Sequence, residues 1–368
     1  MSTEQSGRLW SLDALRGADM LFIMGGSTLI SAVCAFFGSP KGWLATQMNH
    51  VQWAGFAHHD TIFPLFLFIA GVAWPFSLAA QQGKGRTKLQ ITGRVLKRML
   101  ILFLLGLVYN GLFKLDFAHL RIPSVLNRIG FAWGAAALLT LFVRRVSVRA
   151  VITALLLVGS WVLLRFVPPP GTTGTFVPFT YGANLFDWLD RLLLPGHIIG
   201  KGDPEGILSQ IPAIGTAMLG VFSGELLRNG RFSGGKKALL LAIGGIALAA
   251  AGFLWQPWCP SIKKLWTPTF VLFAGAYSAL ALALFYWLCD VMQWRKWTFF
   301  FRVIGMNAIT VYLLQRMVDC DRISRFFFGG LADHCNKPGA SVVIAAGHIA
   351  VCWCVLYFLY RRQTFLKV

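Results

Sequence analysis

The length, composition and charge of this chain place it in a membrane. Of its 368 residues, 56% are hydrophobic and only 13% are charged, whereas soluble domains carry about 25% charged residues. The 34 basic residues far outnumber the 14 acidic ones, a balance that nucleic-acid-binding proteins also show. The positive-inside rule of membrane proteins explains the excess better. The lipid bilayer is therefore an expected partner, and nucleic acid is not.

Ten apolar stretches predict an all-α, polytopic transmembrane helix bundle. They approach the roughly 20 residues that a helix needs to cross a bilayer, and the alternating pattern of a membrane β-barrel is missing. The predicted spans are, approximately, 17–37, 61–80, 99–115, 129–143, 151–167, 206–227, 238–255, 269–288, 303–318 and 341–360. We treat residues 1–368 as one domain. Residues 1–7 are polar and no small-residue cleavage site follows a short apolar core, so we expect no cleavable signal peptide.

Basic residues determine the predicted topology. The densest basic segment lies between the second and third spans, which marks it as cytoplasmic; it contains Lys84, Arg86, Lys88, Arg94, Lys97 and Arg98. Both termini then lie inside, segments 49–60 and 168–205 lie outside, and segment 118–130 is either outside or re-entrant. About 21 of the 34 basic residues fall on the inner side in this arrangement, which is the asymmetry that the rule expects.

Ionisable residues collect on the predicted outer face, and the densest group comes directly before the second span. It comprises His50, His58, His59 and Asp60. Histidine is the side chain best suited to move a proton near neutral pH, so His50 is one of several candidate bases. His348 lies in an apolar span, and we interpret it as a structural residue.

Other charges on that face have less specific interpretations. Asp203 and Glu205 either cap and complement the start of the sixth span or bind a polar ligand at its mouth. Lys263 and Lys264 precede the eighth span. The remaining charges of the long outer loop are interpreted as solvated: Asp187, Asp190 and Arg191.

The sequence contains no clear metal site. His58 and His59 are adjacent, so on a helix they point about 100° apart and make a poor chelating pair. The seven cysteines show no metal-ligand spacing. Cys320 and Cys335 share one predicted loop and are a candidate disulfide if that loop is extracytoplasmic.

Several blocks of the sequence resemble the heparan-alpha-glucosaminide N-acetyltransferase family, and they occur in that family's order. The most specific block is H-x-x-W-x-G-x-x-x-x-D-x-x-F-P, matched here by His50, Trp53, Gly55, Asp60, Phe63 and Pro64. The others are RLWSLDALRGADMLFIM, LRIPSVLNRIG, DPEGILSQIPAI, KKLWTPTFVL and GMNAITVYLL. The chain looks most like the bacterial branch associated with N-acetylglucosamine utilisation, which implies a bacterial inner membrane.

The resemblance implies a membrane enzyme that takes acetyl-CoA from the cytoplasm and acetylates the amine of a glucosamine-type sugar on the far side. The family's catalytic histidine corresponds to His50, and the aspartate ten residues later corresponds to Asp60. One departure concerns an asparagine that family members carry shortly after the first span, where this chain reads Gly25-Gly26-Ser27. Any role of that asparagine is therefore missing or moved here, and the resemblance leaves the acceptor specificity open.

Candidates for ligand binding surround these two residues. Those expected to bind the acceptor are Trp53, Asp203, Glu205, Asn127, Arg128 and Asn307. The two asparagines could stabilise a thioester oxyanion, although interhelical hydrogen bonds explain them as well. The phosphates of acetyl-CoA need cations near the inner mouth, and the nearest are Arg16, Arg94 and Arg98. Positive-inside anchoring explains these arginines equally well.

Two mechanisms and two functions stay open on the sequence alone. His50 can act as a general base, or it can attack the thioester first and carry the acetyl group. The rival function is transport of N-acetylglucosamine or a related amino sugar without chemistry, although a transporter has no need of a base at the family spacing. The natural acceptor and the oligomeric state, a homodimer included, also stay open.

Overall fold

The computed structural model describes residues 9–366, which form a bundle of α-helices. In chain order they are α1 (Trp10–Leu21), α2 (Ser27–Phe36), α3 (Trp43–Gln47), α4 (His58–Gly83), α5 (Lys88–Tyr109), α6 (Val125–Phe142), α7 (Val146–Phe166), α8 (Leu185–Leu193), α9 (Gln210–Arg228), α10 (Gly234–Trp255), α11 (Pro268–Tyr286), α12 (Phe299–Gly305), α13 (Ala308–Met317), α14 (Cys320–Asp333) and α15 (Lys337–Arg361). A π-helical turn, Phe22–Gly26, joins α1 to α2. This part of the chain contains no β-strand, only an isolated antiparallel bridge between Ala54 and Ile262.

The predicted polytopic transmembrane bundle is confirmed. Within residues 9–366, eight helical segments are long and apolar enough to cross a bilayer, or nine if the bent pair α12–α13 forms one span. The third predicted span corresponds to α5, whose 22 residues extend about 33 Å at 1.5 Å per residue. Its first half carries four basic residues, so α5 is long enough to cross a bilayer but is not uniformly apolar.

Several helix boundaries differ from the predicted ones. The second span begins at His58 rather than near residue 61, so His58, His59 and Asp60 form the first turn of α4. The third span begins and ends earlier than predicted, and the sixth begins at Gln210 instead of near residue 206. Two amphipathic helices, α8 and α14, occupy predicted loops. Their polar residues interrupt the apolar runs on which the span prediction depends.

Close packing of α4 against α9 positions the start of α4. Gly71 and Gly220 face each other, and a Cβ atom on either would collide with the backbone of the opposite helix. Small residues that allow helix backbones to approach closely are typical of membrane bundles. The contact holds α4 in the interior of the bundle, with its first turn at one end.

The candidate disulfide does not form. Cys320 is buried at the start of α14, Cys335 is exposed just beyond its end, and both are free thiols. The 14 residues of α14 separate them by about 21 Å along the helix axis. A disulfide needs Cα atoms about 4.4–6.8 Å apart.

Candidate active site

A cavity of about 190 Å³ opens beside the first turn of α4. Phe63 and Leu67 of α4 and Ile129 of α6 form apolar walls, and ionisable groups reach it from four separate chain segments. Apolar walls with a few convergent polar groups are the usual composition of a ligand site. We call this space the His50 cavity.

A buried carboxylate organises the His50 cavity. His50 Nδ1 lies 2.7 Å from Asp60 Oδ1, and the other oxygen of Asp60 accepts a 3.2 Å hydrogen bond from the backbone N–H of Val51. The Asp60 side chain is 2% exposed, whereas that of His50 is 54% exposed. The carboxylate therefore lies behind the imidazole and orients it toward the cavity.

Lys263 is the third member of this cluster. Its Nζ lies 3.2 Å from Asp60 Oδ1 and 3.1 Å from His50 Nδ1. Burial lowers the pKa of the Lys263 ammonium below its usual value, and attraction by Asp60 opposes part of that effect. Lys263 therefore loses its proton more readily than an exposed lysine.

The backbone connects the Lys263 segment to the His50 segment. The N–H of Gly55 donates to the Ser261 carbonyl at 2.8 Å, next to the bridge between Ala54 and Ile262. Gly55 has φ of 143°, a conformation that favours glycine, and a Cβ atom there would lie 2.8 Å from Val51 Cγ1. The position of Lys263 beside Asp60 is thus set by main-chain pairing between segments that are far apart in sequence.

The three neighbouring histidines have separate partners. His59 Nδ1 lies 2.9 Å from Ser27 Oγ, and its ring packs edge-on against His50 with centroids 4.4 Å apart. His58 Nδ1 instead lies 3.0 Å from the Tyr277 hydroxyl. Over the described range, no group of three or more His, Cys, Asp or Glu side chains could hold a metal ion.

Arg121 holds the two acidic residues at the opposite edge of the cavity. It donates to both Asp203 and Glu205, with Nε 2.8 Å from Asp203 Oδ2. Burial disfavours the charged guanidinium, but the two carboxylates outweigh that effect and raise the pKa of Arg121. The capping interpretation of Asp203 is wrong, because α9 begins at Gln210 and Asp203 binds Arg121 instead.

Asp187 and Asp190 are buried, so the interpretation of both as solvated charges is wrong. Asp187 accepts from the N–H of Gly182 at 2.7 Å, and Asp190 accepts from the N–H of Ile207 at 2.8 Å. Burial raises the pKa of Asp187, and it raises that of Asp190 to about 6. Both carboxylates hold the long loop in its folded conformation.

That loop contributes an aromatic surface to the cavity edge. Trp53 donates its indole N–H to the Phe179 carbonyl at 2.9 Å, and its ring lies 4.8 Å from the Tyr181 ring. Lys264 Nζ lies 5.0 Å from the centroid of the Tyr181 ring. Trp53 and Lys264 both line the cavity.

Comparison with known proteins relates the whole chain to one group of enzymes. It is 26% identical to the heparan-alpha-glucosaminide N-acetyltransferase of Homo sapiens over 424 aligned positions, which cover 98% of this chain and 60% of that protein. The Mus musculus protein of the same name is also 26% identical, with 99% of this chain and 61% of that protein covered. No family model matches the chain.

The resemblance to the heparan-alpha-glucosaminide N-acetyltransferase family is confirmed, and the bacterial branch associated with N-acetylglucosamine utilisation stays a prediction. This chain is a relative of the heparan-alpha-glucosaminide N-acetyltransferases. It spans about 60% of the length of these two relatives. Their name describes the transfer of an acetyl group to the amine of a glucosaminide in heparan.

In this relative of the acetyltransferases, the predicted acceptor residues separate into two groups. Trp53, Arg128 and Glu205 line the His50 cavity, and Asp203 lies behind Glu205 on Arg121. Arg128 is buried, donates to the Ser209 hydroxyl and lies 4.5 Å over the Trp266 ring.

Asn127 and Asn307 do not line the cavity. Asn127 donates to the Ile122 carbonyl at 2.7 Å, and Asn307 donates to the Val303 carbonyl at 3.0 Å. The structure therefore does not bring either amide to the place where a thioester oxyanion would form beside His50.

The predicted donor-binding arginines are also divided. Arg98 lies over the Trp133 ring at 4.1 Å and is close enough to Arg16 for the two charges to repel each other. Arg94 is exposed on α5. Three polar atoms that lie together here are buried without a hydrogen-bond partner in the described part of the chain: Arg98 Nε, Trp74 Nε1 and Trp133 Nε1.

Sequence reasoning counted Lys263 only among the outer charges and missed Tyr181. The KKLWTPTFVL block was the available signal for Lys263, since it is one of the blocks that resemble the family. Nothing local marked Tyr181, which reaches Trp53 only because the long loop folds back.

Proposed function

We propose that this chain is a membrane acetyltransferase that transfers the acetyl group of cytoplasmic acetyl-CoA to the amine of a glucosamine-type sugar on the outer side. The observation that carries the proposal is the 2.7 Å contact between an accessible His50 imidazole and a buried Asp60 carboxylate at a cavity wall. The names of the two relatives supply the reaction class. Residues 1–368 form a single acyltransferase domain in this proposal, within a bacterial inner membrane and with both termini cytoplasmic.

His50 removes the proton that prevents the acceptor from reacting. A glucosamine amine is mostly protonated at neutral pH and must lose a proton before it attacks a thioester. In this proposal Nδ1 of His50 carries a proton and donates a hydrogen bond to Asp60, so Nε2 keeps a lone pair for the proton of the amine. The amine nitrogen then bonds to the carbonyl carbon, the carbon–sulfur bond breaks, CoA leaves as the thiol and one proton is released.

Lys263 and Asp60 act together on His50. The buried Asp60 keeps the imidazole in the tautomer that leaves Nε2 free, and Lys263 compensates the carboxylate charge. The ammonium of Lys263, 3.1 Å from the ring, also disfavours persistence of the imidazolium, so the proton passes on after transfer. Lys263 is therefore a positioning residue in this mechanism.

The acceptor sugar fits the side of the cavity that carries Trp53 and Glu205. An aromatic face suits the apolar face of a sugar ring, and a carboxylate attracts a protonated amine. Glu205 lines the cavity while Arg121 holds it from behind. This arrangement brings an ammonium toward the same cavity that His50 faces.

Acetyl-CoA would approach along shared faces of α4 and α6. Asp60, Leu67 and Trp74 are spaced by seven residues and so share one face of α4, as Ile129 and Trp133 share one face of α6. The unpartnered donors of Arg98, Trp74 and Trp133 lie farther along these helices than Leu67 and Ile129 of the cavity wall. Such donors fit the amide and phosphate oxygens of CoA.

The decisive experiment is CoA release by the purified protein supplied with acetyl-CoA, with and without glucosamine, beside His50→Ala. We expect release that depends on glucosamine and is lost in the variant. Release without glucosamine, limited to about one CoA per protein, would instead indicate an acetyl-histidine intermediate. No release with any amino sugar would overturn the enzyme proposal, and uptake into liposomes would then test the transporter.

Thiol labelling tests whether the reaction crosses the membrane. In a variant without native cysteines, Gln52→Cys and Lys88→Cys should react with impermeant maleimide from opposite sides. Labelling from the same side would refute the proposed topology and, with it, transfer from a cytoplasmic donor to an outer acceptor.

A further inference from the structure

A second and larger cavity, of about 690 Å³, lies between the first span, α13, α14 and α15. Its deepest polar residues are His348 and Gln315, and Ser341 and Thr28 also line it. The volume is within the range of about 300–1,000 Å³ that is typical of ligand sites. We call it the α14 cleft. The α14 cleft lies near the His50 cavity, because Thr28 of the cleft wall follows Ser27, which contacts His59 at 2.9 Å, and the His59 ring packs against His50.

Helix α14 is amphipathic, with its polar side toward the α14 cleft and its aromatic side on the outside of the bundle. Asp321, Arg325 and Asp333 are spaced by four and eight residues, and all three line the cleft. Phe326 and Phe327 do not line it and are 83% and 69% exposed. In a bilayer this orientation places the aromatic side against lipid and the polar side against a hydrated space.

Contacts with α15 and the first span fix the walls of the cleft. Ser324 donates to the Ile344 carbonyl at 2.9 Å, and the absence of a side chain at Gly347 lets Phe328 pack against α15. Gly25, with φ of 114° in the π-helical turn, allows the first span to reach the His348 ring. Such π-helical turns occur frequently at functional sites.

The polar groups in the cleft are of both signs. His348 Nδ1 lies 2.8 Å from Asp321 Oδ1, and its Nε2 lies 3.2 Å from Gln315 Oε1. The Asp321 side chain is nevertheless 72% exposed, so its carboxylate also faces the cleft. Within residues 9–366, the side chains of Arg325 and Asp333 make no ion pair or hydrogen bond.

We propose that the α14 cleft is a saccharide-binding site, separate from the His50 cavity. An anion site would gather cations, and a metal site would gather carboxylates. This cleft instead mixes donors (Arg325, His348) with acceptors (Asp321, Asp333, Gln315), a set that matches hydroxyl groups, which both donate and accept. Its volume accommodates more than one sugar unit, so it can hold a neighbouring part of a glycan or a waiting sugar.

Protection of an introduced thiol tests the site directly. Ser341→Cys, in a variant whose Cys34, Cys335 and Cys354 are replaced by serine, places one thiol on the cleft wall. We expect N-acetylglucosamine disaccharide at ten times its dissociation constant to slow maleimide labelling about tenfold. Lys337→Cys is the matched control, because Lys337 is exposed at the start of α15 and does not line the cleft, and it should label at an unchanged rate.

Further variants separate this site from the first cavity. Asp321→Asn combined with Arg325→Gln should abolish protection, whereas His50→Ala should leave it intact even if acetyl transfer is lost or was never present. Three outcomes would overturn the proposal. They are unchanged labelling with any saccharide, equal protection by the zwitterion betaine, and protection that disappears in His50→Ala.

Discussion

The two histidine–aspartate pairs of this protein have opposite exposures. In the first pair, the Asp60 side chain is 2% exposed and that of His50 is 54% exposed. In the second pair, the Asp321 side chain is 72% exposed and that of His348 is 13% exposed. The contact distances are almost equal, at 2.7 Å and 2.8 Å. The distance alone therefore does not distinguish a reactive pair from a binding pair.

Burial determines what each pair presents to a ligand. A buried carboxylate orients an accessible imidazole, which can accept a proton. A largely buried imidazole orients an accessible carboxylate, which can accept hydrogen bonds from a ligand. Each pair also has a third partner, and these two differ in charge. The ammonium of Lys263 compensates the charge of Asp60, whereas the neutral Gln315 contacts His348.

Removing each histidine should have the most unequal effect. We expect His50→Ala to lower the rate of acetyl transfer about 1,000-fold, within the range for loss of a general base. His348→Ala should change it less than about threefold, since that residue lies outside the His50 cavity. Comparable losses of acetyl-transfer rate in the two purified, folded variants would show that the pairs do not differ as a reactive pair and a binding pair.

Neutralising each carboxylate should separate chemistry from binding. Asp60→Asn keeps the shape but weakens the orientation of His50 and leaves Lys263 without its counter-charge, so turnover should fall about 100-fold. Asp321→Asn should leave turnover within about twofold while weakening saccharide protection in the α14 cleft. Measurements of kcat and of thiol protection on both variants check these expectations. A loss of turnover in Asp321→Asn alone would show that Asp321, and not Asp60, serves the chemistry.

The pH profile should identify the contribution of Lys263. Because burial lowers its pKa, the ammonium loses its proton at a lower pH than an ordinary lysine, and turnover should decline as pH rises through that lowered value. Lys263→Arg keeps its charge to above pH 12, so the decline should move to higher pH. Lys263→Met should lose about tenfold in kcat. An alkaline limb identical in all three proteins would remove Lys263 from the mechanism.

The smallest effect concerns the backbone turn beside the second pair. Gly25→Ala forces a side chain into φ of 114° and against His348, at a cost of about 1–3 kcal/mol. We expect a melting temperature lower by a few degrees and weaker saccharide protection, with turnover almost unchanged. Thermal unfolding in detergent measures the change in melting temperature. Gly26→Ala is unsuitable as a control, because the added Cβ atom would collide with the backbone carbonyl of Leu21. Gly244→Ala, which faces open space, is the better control.

Hydropathy predicted the bundle because the bilayer imposes a simple rule on every span. Roughly 20 apolar residues are needed wherever a helix crosses lipid, so most spans were visible without any partner. The amphipathic helices α8 and α14 were missed because each buries only part of its surface and carries charges on another. The start of α4 was also misplaced, since His58 and Asp60 look like loop residues until their partners are known.

The sequence by itself determined the class of the protein, the positions of most spans and the spacing that brings His50 to Asp60 across one loop and one helical turn. Only the tertiary structure decided that Lys263 lies beside them, although it is 203 residues from Asp60 in the chain. It also decided that Asp187 and Asp190 are buried. It also placed Asn127 and Asn307 outside the His50 cavity and made the two histidine–aspartate pairs opposite in exposure. The physical reason is that hydropathy and short motifs are local, whereas burial and charge pairing depend on which distant segments pack together.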